Sequence, residues 1–276
     1  MTPKALKYQK GQTMLQLPNG PTSAMLDLTG KTAMVTAAGQ GLGRAVALRL
    51  ADAGANIVVS TRRPEPGEAV AEEIRAAGGR AISVINDVTN LSQTEPALDK
   101  ATEAFGGVDI LANVAGGMHP FTPFLELDEA TWQAAMERNV KGTYFMTQAV
   151  AKRLVAAGKP GSVVVIGSTA AFRADDLMSV YNSAKAALVQ FTRSVAVELA
   201  PHKILVNAVL PGPLRTTNTE WIYDDPKNAA HVKEKVPLGH PADPDDVASA
   251  VLYFAGRGAG HNTGSMLVVD GGFLCT

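Results

Sequence analysis

What most constrains the fold of this chain is an alternation. Short runs that are apolar on both faces recur at 33–36, 57–60, 81–85, 108–112, 162–166, 204–209 and 266–269, with amphipathic stretches filling most of the spaces between them. A strand with no polar face must be covered on both sides, and a chain returning through a helix after each strand lays its strands parallel. The helical periodicity predicts helices over 42–53, 65–77 and 91–105, a long one over 128–157, then 179–199 and 244–254. Asp243, Pro244, Asp245 and Asp246 place an N-cap, a first-turn proline and acids at one helix start. Asp128 opens the long helix in the same way, and Gly158 closes it.

The fold class predicted is α/β, a single doubly wound (Rossmann-type) domain with a mainly parallel seven-stranded sheet. It spans 29–276, preceded by an N-terminal extension over 1–28 that is polar, holds Pro18, Gly20 and Pro21, and shows no sustained period. With 46% hydrophobic and 18% charged residues in 276, the chain has material for a sizeable core. Its 25 basic and 26 acidic residues are interspersed, which argues against nucleic acid as a partner. The apolar runs fall far short of the ~20 residues that cross a bilayer, so no membrane partner is expected. A lone cysteine, Cys275, leaves no internal disulfide, and the opening MTPKALKYQKGQ carries no apolar targeting stretch. A cytoplasmic location is the expectation, and no metal site is assigned.

After the first run the chain reads Thr36-Ala37-Ala38-Gly39-Gln40-Gly41-Leu42-Gly43-Arg44. A glycine-rich turn that ends a strand and opens a helix aims backbone N–H groups and the positive helix end at one spot, the geometry that accepts a pyrophosphate. The usual third glycine would fall on Arg44. About 20 residues on, an acid would pair with the ribose 2′-hydroxyl of NAD. Here Ser60-Thr61-Arg62-Arg63-Pro64 offers cations instead, which suit the 2′-phosphate of NADP. The cofactor expected is therefore NADP(H) over NAD(H), with Arg62 first and Arg63 second.

Tyr181 and Lys185 are four residues apart in a predicted helix, on one face a turn apart. An ammonium at ~4–6 Å would favour the phenolate by about 3–4 kcal/mol at an effective dielectric of ~20, enough to make a phenol useful in proton transfer. The spacing alone is weak, because Tyr223 and Lys227 share it. That second pair encloses two acids and Pro226 and lacks a helical continuation. Only Tyr181 has a serine, Ser168, 13 places before it at the end of a predicted strand, the edge where open α/β sheets bind ligands.

Together these residues resemble the short-chain dehydrogenase/reductase family, from about Leu26 to Phe273. The family pattern T-G-x-x-x-G-x-G aligns with Thr36 to Gly43, with Ala37 in place of its first glycine, and N-N-A-G appears as Asn113-Val114-Ala115-Gly116. The resemblance implies catalysis by Ser168, Tyr181, Lys185 and Asn139. It places Gly39, Gln40, Gly41 and Leu42 at the pyrophosphate, Thr61, Arg62 and Arg63 at the ribose phosphate, and Asp87 and Val88 at the adenine. Asn113, Ala115, Gly116, Pro211, Gly212, Leu214 and Thr216 join Tyr181 and Lys185 around the rest of the cofactor, Thr216 at the carboxamide. Lys185 is expected to lower the phenol pKa and hold the nicotinamide ribose. Asn139, at a distortion of the long helix, anchors a water on the proton path.

The activity implied is NADP(H)-dependent interconversion of a carbonyl and an alcohol by hydride transfer, with tyrosine as acid and base. Met118, Thr169, Phe172 and Trp221 are the substrate-wall candidates, with Gly117, Phe124 and Leu214 near them, and 213–237 reads as a lid. His119 is expected at the rim. The balance of the wall is apolar, which fits an uncharged or amphipathic ketone. Rivals are a 3-oxoacyl-thioester reductase of the same family and a non-catalytic NADP-binding sensor. An enoyl reductase is disfavoured, because that group spaces its tyrosine and lysine more widely. The resemblance also implies a homotetramer or homodimer, with helices 128–157 and 179–199 at one interface and Gly271 to Leu274 at another.

Overall fold

Seven parallel strands form one sheet in a computed structural model, which describes residues 22–118, 120–217 and 219–276. Residues 1–21 of the extension and His119 lie outside the described residues, as does Asn218. The strands are β1 (Thr32–Thr36), β2 (Asn56–Thr61), β3 (Ala81–Ile85), β4 (Ile110–Asn113), β5 (Gly161–Ile166), β6 (Ile204–Pro211) and β7 (Met266–Val269). Their order is β3-β2-β1-β4-β5-β6-β7, and every adjacent pair runs parallel.

The both-face apolar runs become strands because each side of the sheet has its own core. Successive side chains of a strand point to opposite faces. Ala33, Val35, Ile57, Val59 and Val164 accordingly join Val46, Leu50, Ile74, Val251 and Phe254 on one face. Met34, Val58, Val163 and Val165 join Leu98, Met146, Val150, Leu188 and Phe191 on the other. The first layer holds α1 (Gly41–Asp52), α2 (Pro64–Ala76) and α9 (Pro244–Ala255); the second holds α3 (Thr94–Phe105), α5 (Gly142–Ala156) and α6 (Ser179–Leu199). Leu28 is buried in the first core and its N–H donates to Ala53 O, so the end of the proposed extension packs with the domain.

Two helices differ from the periodicity. The stretch predicted at 91–105 starts as a 3-10 turn, Leu91–Gln93, because the Asn90 side chain accepts from Ser92 N before α3 begins. The long helix of 128–157 is α4 (Glu129–Met136), a π-helical segment Glu137–Lys141, then α5. Between β6 and α9 lie two short helices, α7 (Glu220–Asp224) and α8 (Pro226–Lys235). Among the described residues no helix is long and apolar enough to cross a membrane.

Strand order reverses between β1 and β4: the chain works outward through β2 and β3, then restarts on the other side of β1. A crevice opens at the C-terminal strand ends where such a reversal occurs. The glycine turn follows β1, and the segment from Val114 to Gly117 follows β4, so both border it.

Candidate active site

The glycine turn uses its small residues for separate reasons. A Cβ on Gly43 would lie 2.2 Å from Ala37 O, so α1 can approach β1 only with glycine there. Gly41 has φ +52°, and Ala37, in the place of the family's first glycine, also sits left-handed at φ 53°. Alanine there carries the Cβ strain that glycine avoids. Gln40, the N-cap of α1, is extended at φ −164° and makes no side-chain capping bond to the helix. A methyl on Gly41 would lie 3.5 Å from Thr216 Cβ, which sets the loop after β6 against the turn. Thr216 is held there by Thr219, whose Oγ1 accepts from Thr216 N at 2.8 Å and donates to Leu214 O at 2.7 Å.

At the end of β2, Thr61 Oγ1 donates to Arg63 O at 2.7 Å, fixing a turn from which Arg62 and Arg63 are exposed. Neither arginine is ion-paired among the described residues. A helix start on a glycine turn, with two exposed cations beyond the next strand, can receive the phosphates of a dinucleotide. Asp87 accepts from Thr89 N and Thr89 Oγ1 through one carboxylate oxygen. The Val88 side chain is packed against Gly142, where an added Cβ would come within 2.7 Å.

On the other border of the crevice, Thr36 Oγ1 accepts from Val114 N and Ala115 N, both at 2.9 Å. Val114, standing where the family has a second asparagine, packs against the first core, while Asn113 donates to Thr147 Oγ1. Asn139 explains the broken helix. Its Nδ2 donates to Ala135 O at 2.9 Å and Gly117 O at 3.0 Å, and its Oδ1 accepts from Gly117 N at 3.0 Å. The chain from Gly116 to Gly117 is thus clamped onto the π-segment. A methyl on Gly116 would lie 2.9 Å from Asn139 Oδ1 and 3.4 Å from Lys185 Nζ, so the loop passes between these two side chains.

Tyr181 and Lys185 share one face of α6, and Lys185 Nζ lies 5.6 Å from the phenol ring centre. The Ser168 hydroxyl stands near enough to the Tyr181 phenol to favour its ionised form. Ser168 ends the segment after β5, where its Oγ accepts from Ala170 N. Lys185 is buried, at 4% exposure, and donates to Ile166 O at 3.0 Å. Burial lowers its pKa to about 8. Burial also pushes the Tyr181 phenol above its ordinary value, with the nearby Ser168 hydroxyl opposing this and Asp175 adding to it. The expected depression of the phenol by Lys185 is therefore absent here. Burial favours the neutral form of each group, and Lys185 Nζ donates to a strand carbonyl.

The second tyrosine–lysine pair does not share a helix. Tyr223 lies in α7 and Lys227 in α8, separated by Asp225, whose side chain accepts from Lys227 N at 2.7 Å. Of the wall candidates, Phe172 (55% exposed), Trp221 (59%) and Phe124 (74%) are open to solvent, and Met118 is half-buried. Thr169 is buried and its carbonyl accepts from Phe172 N and Arg173 N, so it contributes little open surface. Pro211 ends β6, and Gly212 lies against Asp270, which its own Cβ would meet at 2.6 Å. Thr219, Asp175 and Asp270 escaped the sequence reading, because nothing local marks a residue whose role is to hold another loop.

The model of the family described as enoyl-(acyl carrier protein) reductase matches residues 36–274. The chain belongs to the short-chain dehydrogenase/reductase family. It is similar to the L-rhamnose 1-dehydrogenase (NAD(P)(+)) of Azotobacter vinelandii, 36% identical over 90% of this chain and 98% of that one. It is also similar to the L-xylulose reductase of Mus musculus, 37% identical over 91% and 99%. A gluconate 5-dehydrogenase from Burkholderia cenocepacia, solved with NADP and tartrate, superposes with a TM-score of 0.87 at 28% identity, covering 92% of this chain and 99% of that one. This short-chain dehydrogenase/reductase is accordingly an oxidoreductase of the CH–OH/C=O kind, and its chemistry needs a nicotinamide cofactor.

Proposed function

We propose that the chain is an NADP(H)-dependent oxidoreductase that interconverts a carbonyl and an alcohol, with Tyr181 as acid and base. The observation that carries this reading is the gathering of Tyr181 and buried Lys185 on one face of α6, with Ser168 beside the phenol just past β5. A bound nicotinamide supplies or receives the hydride. For reduction, the Ser168 and Tyr181 hydroxyls hold the carbonyl oxygen and polarise the bond, and Tyr181 gives its proton to the oxygen as charge develops there. Lys185 stands behind the phenol and holds the ribose hydroxyls. Asn139 keeps the segment through Gly117 in place and anchors the water that replenishes the proton. Oxidation is the same path reversed.

Gly39, Gln40, Gly41 and Leu42 hold the pyrophosphate in this reading, and exposed Arg62 and Arg63 favour the 2′-phosphate of NADP. Asp87 and the Val88 backbone take the adenine, while Asn113, Ala115, Gly116, Pro211, Gly212, Leu214 and Thr216 border the nicotinamide half. Met118, Phe172 and Trp221 line the substrate opening, and 213–237 closes over it as a lid.

The substrate is a small hydroxylated carbonyl compound of the sugar type, a reading supported by the activities of the named relatives. A second reading, a 3-oxoacyl thioester, draws on the exposed apolar side chains Phe121, Phe124 and Leu125. The test measures NADPH oxidation with L-xylulose and acetoacetyl-CoA and NADP⁺ reduction with L-rhamnose, each repeated with NAD(H). Turnover of a sugar supports the first reading, turnover of the thioester alone supports the second, and turnover of none sinks both. We propose further that the chain works in the cytoplasm as a homotetramer or homodimer. Tyr144, Phe145, Val155 and Val197 support this, because α5 and α6 leave them exposed on the helices that the resemblance assigns to an interface.

A further inference from the structure

One short turn touches the proposed site from two sides. Arg173 Nη1 donates to the carbonyls of Phe273 and Thr276, each at 3.2 Å, and its guanidinium lies 4.3 Å from the centre of the Phe273 ring. The Arg173 N–H in turn donates to Thr169 O at 3.0 Å, one residue beyond Ser168. On the far side, Thr276 Oγ1 donates to the carbonyl of Lys235, the last residue of α8, at 3.0 Å. Leu238 N donates to Gly271 O at 3.1 Å. Between these ties, Asp270 accepts from Gly272 N and Leu274 N, both at 2.8 Å, and packs on Gly212.

We infer that Arg173 is a positioning residue that clamps the 273–276 turn to the serine loop and thereby seats the end of α8 beside the substrate opening. This rests on the reading of Ser168 and Tyr181 as the active pair and of 213–237 as a lid. The geometry fits the role. Arg173 reaches across about 100 residues of sequence to two carbonyls and a ring, while β7 and the Asp270 cap hold the turn's base without it. Losing the clamp opens the turn locally and leaves both cores intact. It also loosens the α8 end, because Thr276 carries the bond to Lys235, while Leu238 N to Gly271 O keeps the following residues on the turn's base. The substrate side of the site is affected; the glycine turn at the cofactor side is not.

The test compares R173A, R173K and F273L with the unaltered enzyme. Amide hydrogen exchange is followed by mass spectrometry in peptides covering 272–276 and 232–238. Losing an arginine clamp of this kind should accelerate exchange roughly five- to thirty-fold in both peptides of R173A. R173K, which keeps a cation over the ring, should recover part of the protection, and F273L should fall between. Acceleration in 272–276 alone overturns the link to the lid, and no acceleration in either overturns the clamp. With L-xylulose or L-rhamnose as the probe, R173A should raise KM by a similar factor, leave kcat within about twofold, and leave the NADPH Kd unchanged. A fall in kcat with unchanged KM contradicts the positioning role. If the unaltered enzyme turns over neither sugar, the sugar reading fails, and the exchange pattern alone decides for or against Arg173. If R173A does not fold, F273L carries both measurements.

Discussion

At the residue scale, Tyr181 and the buried Lys185 beside it make the sharpest demands. Tyr181→Phe keeps the ring and removes the proton, so kcat should fall by about 10²- to 10⁴-fold while the NADPH Kd stays nearly constant. Steady-state kinetics and a cofactor titration check this. Lys185 costs stability because it is buried and, among the described residues, has no carboxylate partner. Its pKa of about 8 lies below the ordinary lysine value of 10.5, so between those values the unfolded chain holds a proton that the folded chain has released. Stability from this group therefore rises as pH climbs from about 8 to 10.5, and the burial penalty is fully present below that window. Lys185→Met should stabilise the chain by up to about 3 kcal/mol at pH 7, with the difference from wild type vanishing towards pH 10.5. Urea unfolding of both proteins across the window reads the sign directly. Ala37 is a smaller case. Relieving its left-handed strain is worth ~1–2 kcal/mol and the added glycine entropy costs ~0.5–1, so Ala37→Gly should gain about 0.5–1 kcal/mol.

At the scale of elements, one asparagine decides where the long helix breaks. The Asn139 side chain makes three hydrogen bonds, two of them to Gly117. Asn139→Ala deletes them together and leaves polar groups of a half-buried loop without partners, which should cost about 1–3 kcal/mol and reduce kcat through the loop that borders Lys185. Chemical denaturation alongside kinetics measures both. The tyrosine–lysine pairs teach the same lesson from sequence. Tyr223 and Lys227 match the spacing of Tyr181 and Lys185, yet Asp225 and Pro226 start a new helix between them. The helix-breaking chemistry was visible in the letters, so the choice between the two pairs was legible. The site of the π-segment came from the resemblance, which put a distortion at Asn139; no periodicity marks it, because it depends on Gly117 arriving from β4.

At the scale of the molecule, charge and assembly set the remaining tests. Arg62→Asp replaces an exposed cation beside the glycine turn with an anion, which should weaken NADPH far more than NADH. Parallel titrations of the two cofactors decide it; equal losses for both would count against NADP. Val155→Glu puts a charge on the exposed apolar face of α5 and should dissociate the proposed oligomer without unfolding the domain. Light scattering coupled to gel filtration, with circular dichroism on the same sample, separates dissociation from unfolding.

The strands, their parallel arrangement and the glycine turn were readable from sequence because hydrophobic period, capping residues and strand–turn–helix order act over a few neighbours. Ser168, Tyr181 and Lys185 were readable for the same reason, since one helix and one strand end bring them together. The electrostatic balance of that site was not. Spacing alone argued that Lys185 would lower the phenol, whereas burial raises the pKa of Tyr181 and lowers that of Lys185, whose Nζ donates to Ile166 O. Arg173 over Phe273, Thr219 under Thr216 and Asp270 against Gly212 likewise came only from tertiary structure. Desolvation and contacts between distant segments depend on what the rest of the chain packs around a group, and no local pattern encodes that.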